Sequence, residues 1–246
     1  MAKPTYQELL DAGVHFGHMR KKWNPKMAPY IFMERKGIHI IDLNRTSECL
    51  DRAANAMKAI AKSGRKILFV ATKKQARDIV SQSAQSVGMP FVTERWLGGM
   101  MTNFATIKRS VKKMQTIERM LADSTAQNLT KKERLTMERE RLKLVKVLGG
   151  IEDLSRLPAA VFVVDIEREH IAIAEAKRLG IRTLAMVDTN SDPGEVDFPV
   201  PANDDASKSV AVITRYLTDA IRQGLEERTS NKASEEKTAI DQPAAE

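Results

Sequence analysis

The sequence predicts an α/β fold, a three-layer doubly wound (Rossmann-like) mostly parallel sheet with an inserted antiparallel coiled-coil helical hairpin. Three observations lead there. Short runs of apolar and β-branched residues alternate with helix-patterned stretches that end in glycine. The runs read as buried on both faces, and such strands belong to a parallel sheet covered by helices, because each crossover returns the chain over the sheet. One segment, residues 101–148, breaks the alternation with two cationic helical arms between Gly98-Gly99 and Gly149-Gly150.

Thr5 and Glu8 form a capping box on a short helix that ends near Gly13. Residues 38–43 read as a further edge strand, 66–71, 91–96, 159–164 and 183–187 as the main strands, and 198–201 as a last short one. Helices are expected over 47–63, 74–87, 167–179 and 206–223, each followed directly by a glycine, the residue that most readily stops a helix. In the hairpin, Ile107, Val111, Met114 and Leu121 line one side of the first arm. A polar loop over 123–128 follows, then a capping box at Thr130 and Glu133, with Leu135, Leu142, Val145 and Leu148 as the answering stripe. Arms of about 20 residues reach on the order of 30 Å at about 1.5 Å per residue.

With 246 residues and 42% hydrophobic content, the chain supports one main domain. The expected organisation is a basic and aromatic N-terminal extension over 1–45, an α/β domain over 46–100 and 149–225, the hairpin over 101–148, and a disordered, mildly acidic tail over 226–246. Cys49 is alone, which excludes an internal disulfide and suits a reducing compartment. The absence of a membrane-length apolar run or a hydrophobic leader predicts a cytoplasmic protein, or one made inside an organelle. Arms carrying twelve lysines and arginines against five acids hold a surplus of seven, nearly all of the chain's net charge of +8. A cationic surplus on one helical element is the footprint of a nucleic-acid ligand, set against the plainer alternative of a solvated coiled coil.

Three other constellations bear on chemistry. Residues 15–30 interleave His15, Phe16, His18, Trp23 and Tyr30 with Arg20, Lys21, Lys22 and Lys26, which suits stacking on unpaired bases and contact with phosphates. Thr72-Lys73-Lys74 follows a strand and opens a helix, a favourable place for an anion. Neither a G-x-G-x-x-G turn nor a G-x-x-x-x-G-K-[ST] loop occurs to bring backbone close to a nucleotide. Asp165 and Asp188 end strands, and Asn203-Asp204-Asp205 precede the last helix, so oxygens for a divalent ion such as magnesium could gather there, with His18 tilting the choice towards zinc. Helix capping is the plainer reading of that triplet. No H-E-x-x-H or G-x-S-x-G pattern supports a hydrolase.

Several of these segments together resemble the bacterial-type ribosomal protein S2 family of the small subunit. They are Ala12 to His18, Trp23-Asn24-Pro25-Lys26-Met27, Gly37 to Leu43, Arg95 to Met100 with Thr102-Asn103-Phe104, Val187 to Pro193, and Pro201 to Ala206, in the family's order. Ala71 departs from a frequent glycine and Arg182 from a usual proline. The resemblance implies a non-enzymatic component of the small ribosomal subunit that binds rRNA, with other small-subunit proteins as partners, notably S1, and neither a membrane nor a small-molecule substrate. It also implies a metal pocket at Asp188, Asp204 and Asp205 with His18 as neighbour. The expected RNA contacts are Arg20, Lys21, Lys22, Lys26, Lys73, Lys74, Arg95, Asn103, Lys108, Arg109, Lys112 and Lys113. The rival is a nucleotide-binding doubly wound enzyme that uses Thr72 to Lys74 and the acidic cluster. A third reading is an adaptor whose hairpin grips acidic proteins.

Overall fold

The computed structural model of the protein describes residues 3–122 and 130–240, with side chains through residue 231. The expected loop over 123–128 and the last residues of the expected tail lie outside the described residues. Thr5 caps α1 (Tyr6–Asp11) through the predicted capping box. The chain then forms β1 (Phe16–Met19), β2 (Ile31–Arg35) and β3 (Ile38–Ile41). These make a separate antiparallel sheet in the order β1-β3-β2, so residues 38–41 are its central strand and not an edge of the main sheet. The cause is local: Lys36 and Gly37 both take positive φ, 53° and 76°, which folds Arg35 back onto Ile38 as a two-residue hairpin.

The body follows as α2 (Leu43–Lys62), β4 (Ile67–Val70), α3 (Arg77–Ser86), β5 (Phe91–Val92), α4 (Phe104–Ala122), α5 (Lys131–Leu148), β6 (Ala160–Val164), α6 (His170–Arg178), β7 (Arg182–Val187), β8 (Phe198–Pro201) and α7 (Ser207–Ile240). Five strands pair in parallel in the order β5-β4-β6-β7-β8. The chain steps outward from β4 to β5, then returns to the other side of β4, so the winding reverses between β4 and β6. Register aligns Phe91, Phe69, Phe162, Leu184 and Phe198 in one row across the sheet. That row faces the layer of α2, α3 and α7, whereas Val92, Val70, Val163 and Ala185 face α6 and the roots of α4 and α5. Period-two alternation divides the strands between two cores, and each buried phenylalanine contributes about 2 kcal/mol.

Strand 91–96 is shorter than expected, since only Phe91 and Val92 pair before the chain leaves towards α6. Helix 74–87 begins at Arg77 because residues 74–76 form a turn before it. Gly224 does not stop α7. A Cβ there would come within 2.5 Å of the Lys58 carbonyl, so this glycine lets α7 cross α2 closely. Beyond it, Glu227 pairs with Lys58 and Lys62, at 2.6 and 3.0 Å, and the Arg228 guanidinium covers Gly64. The helix therefore runs on to Ile240 through the first part of the stretch expected to be disordered. Among the described residues no helix is long and apolar enough to cross a membrane.

The long crossover from β5 to β6 holds α4 and α5, which pack on each other. Ile107, Val111, Met114 and Ile117 are the buried stripe of α4. The answering stripe differs from the expected one: Leu135, Leu142 and Val145 are exposed, and Met137, Leu144 and Leu148 turn inward. Leu148 is seated in the body's core with Leu144 and Val147 packed beside it. That root fixes the rotation of α5, and the positions four, seven and eleven residues earlier follow it onto the buried side.

Candidate functional site

In a doubly wound sheet, ligands bind outside the carboxyl ends of the strands where the winding reverses. Here Thr72-Lys73 after β4 and Asp165 after β6 meet at that point. The chain's own groups fill it. The Thr72 amide donates to Glu169 Oε1 at 2.9 Å, the Thr72 hydroxyl donates to the same oxygen, and Arg168 Nε donates to the Thr72 hydroxyl at 2.9 Å. Burial pushes the Glu169 carboxyl above the usual carboxylate range. Lys73 is 9% exposed, with Nζ 2.7 Å from Asp204, 2.7 Å from Asp205 and 3.4 Å from Asp165. Burial alone would depress its ammonium, but the three carboxylates outweigh that and hold it above the ordinary lysine value. A phosphate would have to displace carboxylates from both residues, so Lys73 is a buried counter-charge and not the surface contact expected of it. Asp165 takes a φ of 71°, a strained value for a residue other than glycine, held by its place in the cluster and by the Arg168 amide on its carboxylate.

Around this edge, His18 Nδ1 stands 3.1 Å from Asp188 Oδ2, and Nε2 stands 3.4 Å from Asp205 Oδ2. One ligand atom each of His18, Asp188 and Asp204 lie within 4.8 Å of one another. Gly17 makes this approach possible: a Cβ there would lie 2.5 Å from the Thr189 side chain, which accepts from the His18 amide. Asp188 raises the His18 pKa. Burial, with Asp188 and Asp165 nearby, pushes the Asp204 carboxyl up to about 7, and its Oδ2 is buried without a hydrogen-bond partner. Capping of the chain into α7 falls to Asn203, whose Oδ1 accepts from the amides of Asp205 and Ala206. Asp204 is thus brought to His18 and Asp188, while Asp205 faces Lys73 and His18 from the rim.

The root of α4 depends on a residue that the sequence analysis did not single out. Glu175, on α6 and 8% exposed, accepts from Trp96 Nε1 at 3.0 Å, from the amides of Gly99, Met101 and Thr102 at 2.8, 2.9 and 3.0 Å, and from the Thr102 hydroxyl at 3.1 Å. Burial would raise its carboxyl, but these donors hold it below the usual range. The segment between β5 and α4 is therefore strapped to the body through one carboxylate. An acidic residue inside the apolar stripe Ala172, Ile173 and Ala176 was the available signal.

Lys73 aside, the predicted RNA contacts divide into three groups. Lys21, Lys22, Lys74, Arg95, Arg109 and Lys112 are exposed and make no ion pair among the described residues. Arg20, Lys26 and Lys113 are exposed but paired with Glu34, Asp192 and Glu140. Lys108 donates to the Ser155 carbonyl and lies 5.4 Å over the Phe104 ring, and Asn103 Oδ1 accepts from Thr106 at the start of α4. Among the expected contacts, those without an ion pair thus lie on α4, the N-terminal extension and the rim of the sheet.

A doubly wound domain with its ligand crevice closed by internal ion pairs, and its unpaired cations outside that crevice, is built as a binding protein and not as a nucleotide enzyme. Comparison with known proteins agrees. The chain belongs to the family described as Ribosomal protein S2, whose model matches residues 9–224. It is similar to the small ribosomal subunit protein uS2 of Cytophaga hutchinsonii, 62% identical over 94% of this chain and 91% of that one. The protein of the same name from Flavobacterium johnsoniae is 60% identical over 99% and 95%, and that from Parabacteroides distasonis 57% over 96% and 85%. The family is structural and non-enzymatic, with its role in translation, which sets aside the rival reading based on Thr72 to Lys74.

Proposed function

We propose that this chain is a structural component of the small ribosomal subunit that binds rRNA through exposed cations, with α4 and α5 acting as an antiparallel coiled-coil hairpin. The observation that carries this reading is the state of the cations. Arg109 and Lys112 on α4, like Lys21, Lys22 and Lys74, are exposed and make no ion pair among the described residues, whereas Lys73 is enclosed by carboxylates. Exposed unpaired cations release counterions when they meet phosphate, so binding should weaken with salt by a log-log slope of about 0.7 to 0.9 per phosphate. Such contacts position a protein without reading bases. Sedimentation of the tagged chain with small subunits at rising salt tests it; retention that does not respond to salt would overturn it.

The finer partner reading is that the N-terminal sheet helps dock ribosomal protein S1. Register places Phe16 and Met33 in one row with Ile40, and Met19 in the next row with Ile38, so they share the outer face. Phe16, Met19 and Met33 are between 47% and 57% exposed, an apolar patch of the kind that marks a protein interface. Replacing Phe16 and Met33 with serine should lower S1 retention on subunits while leaving the chain bound.

His18, Asp188 and Asp204 fit a divalent ion, because an orphaned buried carboxylate oxygen and an imidazole converge there. One nitrogen with two carboxylate oxygens suits zinc better than magnesium, which favours oxygen donors alone. Such an ion would bind the N-terminal sheet to the body. Calorimetric titration of the chelator-treated chain with zinc tests this, and absence of heat would remove the ion from the account.

A further inference from the structure

The outward side of α5 carries a feature that neither the core nor a phosphate explains. Leu135, Leu142 and Val145 are 47%, 56% and 38% exposed. Their spacing of seven and three puts them on one side of the helix, opposite Met137, Leu144 and Leu148. Lys131, Lys132, Arg139 and Lys143 flank this stripe without an ion pair among the described residues, Lys146 pairs with Glu94 at 3.3 Å, and Glu138 is the one acid beside them. At its root the stripe opens into a groove of about 550 Å³, lined by Val145, Met89, Phe91 and Leu154, with Lys66 and Lys146 balanced there by Glu152 and Asp153, so the groove is apolar and near neutral and the cationic surplus lies along the helix above it. By contrast, Met120 is the one large apolar side chain of α4 that is strongly exposed among the described residues.

We propose that the outward side of α5, with the groove at its root, is a docking surface for an acidic, apolar segment of another protein of the small subunit. The apolar stripe calls for a partner that can bury leucine and valine, and the surrounding cations call for carboxylates on it. RNA supplies the negative charge but offers a hydrated phosphate and ribose surface that gains nothing from covering leucine. A second copy of this chain would bring the same cations against themselves, so charge repulsion disfavours self-association. The arrangement matches recognition of an amphipathic partner through anchors at helical spacing, with the groove taking one terminal apolar side chain.

The inference rests on the ribosomal reading, and its test separates the two. The full chain carrying a photo-crosslinking benzoylphenylalanine at position 142 is assembled into small subunits and irradiated. A protein adduct that maps to a segment rich in Asp, Glu and apolar residues is expected. An adduct with rRNA alone, with this chain itself or with nothing overturns the docking surface while the sedimented chain still supports the ribosomal reading. Failure to sediment overturns both. In parallel, Leu135→Gln with Leu142→Gln should leave melting unchanged, because both side chains are exposed, and should reduce retention on subunits several-fold at a salt concentration that wild type tolerates. Unchanged retention would contradict the proposal.

Discussion

Lys73 and Lys112 are the same residue type in two regions of one molecule, and their surroundings give them opposite roles. At the reversal point of the sheet, Lys73 is desolvated, so the chain supplies three carboxylates to hold it charged. On α4, Lys112 is exposed and has no ion-pair partner among the described residues. A buried cation must be neutralised from within because uncompensated charge in a low dielectric is expensive. An exposed one can wait for a partner. The edge where related folds keep a phosphate is closed from inside, and charge for an external polyanion has moved to helical surfaces and the N-terminal extension.

This contrast can be broken or sharpened in four ways. Lys73→Ala should be the most damaging, with about 4 kcal/mol lost in urea unfolding because three carboxylates are left facing one another. It should leave the salt dependence of subunit binding unchanged; a changed slope would mean that Lys73 does reach phosphate. Glu175→Gln should lose about 3 kcal/mol, since a neutral amide cannot accept so many donors equally well. Faster hydrogen exchange at Gly99, Met101 and Thr102 would localise the effect, and protection equal to wild type would show that the strap is not needed.

Arg109→Gln with Lys112→Gln should barely move stability, by less than about 0.5 kcal/mol, as exposed substitutions usually do. The same pair should reduce the salt slope by about 0.7 to 0.9 for each phosphate contact removed. A pH-dependent effect is expected at Asp204, whose carboxyl stays raised even with Lys73 beside it. Its native carboxyl, raised to about 7 from 3.8, keeps a proton that the unfolded chain has already released. Unfolding therefore releases protons, and in the metal-free chain stability falls as pH rises from about 4 to about 7. Asp204→Asn should flatten that decline, seen as a smaller difference in melting temperature between the two ends of the window.

Much of this architecture was legible in the sequence. The strand runs around Phe69, Phe162 and Leu184 could belong only to a sheet covered on both faces, and the Thr130 capping box marked the start of α5 to the residue. What escaped were features set by long-range approach. Lys36-Gly37 lacks the asparagine or aspartate that usually announces a tight hairpin, so the antiparallel sheet was read as an extension. Gly224 looked like a helix stop because its contact, the Lys58 carbonyl, lies far away in sequence. The α5 stripe was taken from the side with the better run of leucines, whereas the seating of Leu148 in the core chose the other. In the site, the sequence points to His18, Asp188, Asp204 and Asp205, and the fold brings the first three within 4.8 Å of one another with Asp205 at the rim. The inward turn of Lys73 was invisible without knowing that the winding of the sheet sets those acids beside it.

The salt dependence of binding to small subunits tests the central contrast most directly, measured for wild type, for Lys73→Ala at a temperature where it remains folded, and for the Arg109 and Lys112 double variant. Wild type and Lys73→Ala should share one slope, and the double variant should be shallower by about 1.4 to 1.8 if each cation neutralises one phosphate. A shallower slope for Lys73→Ala together with an unaltered one for the double variant would place the RNA at the sheet edge and contradict the account.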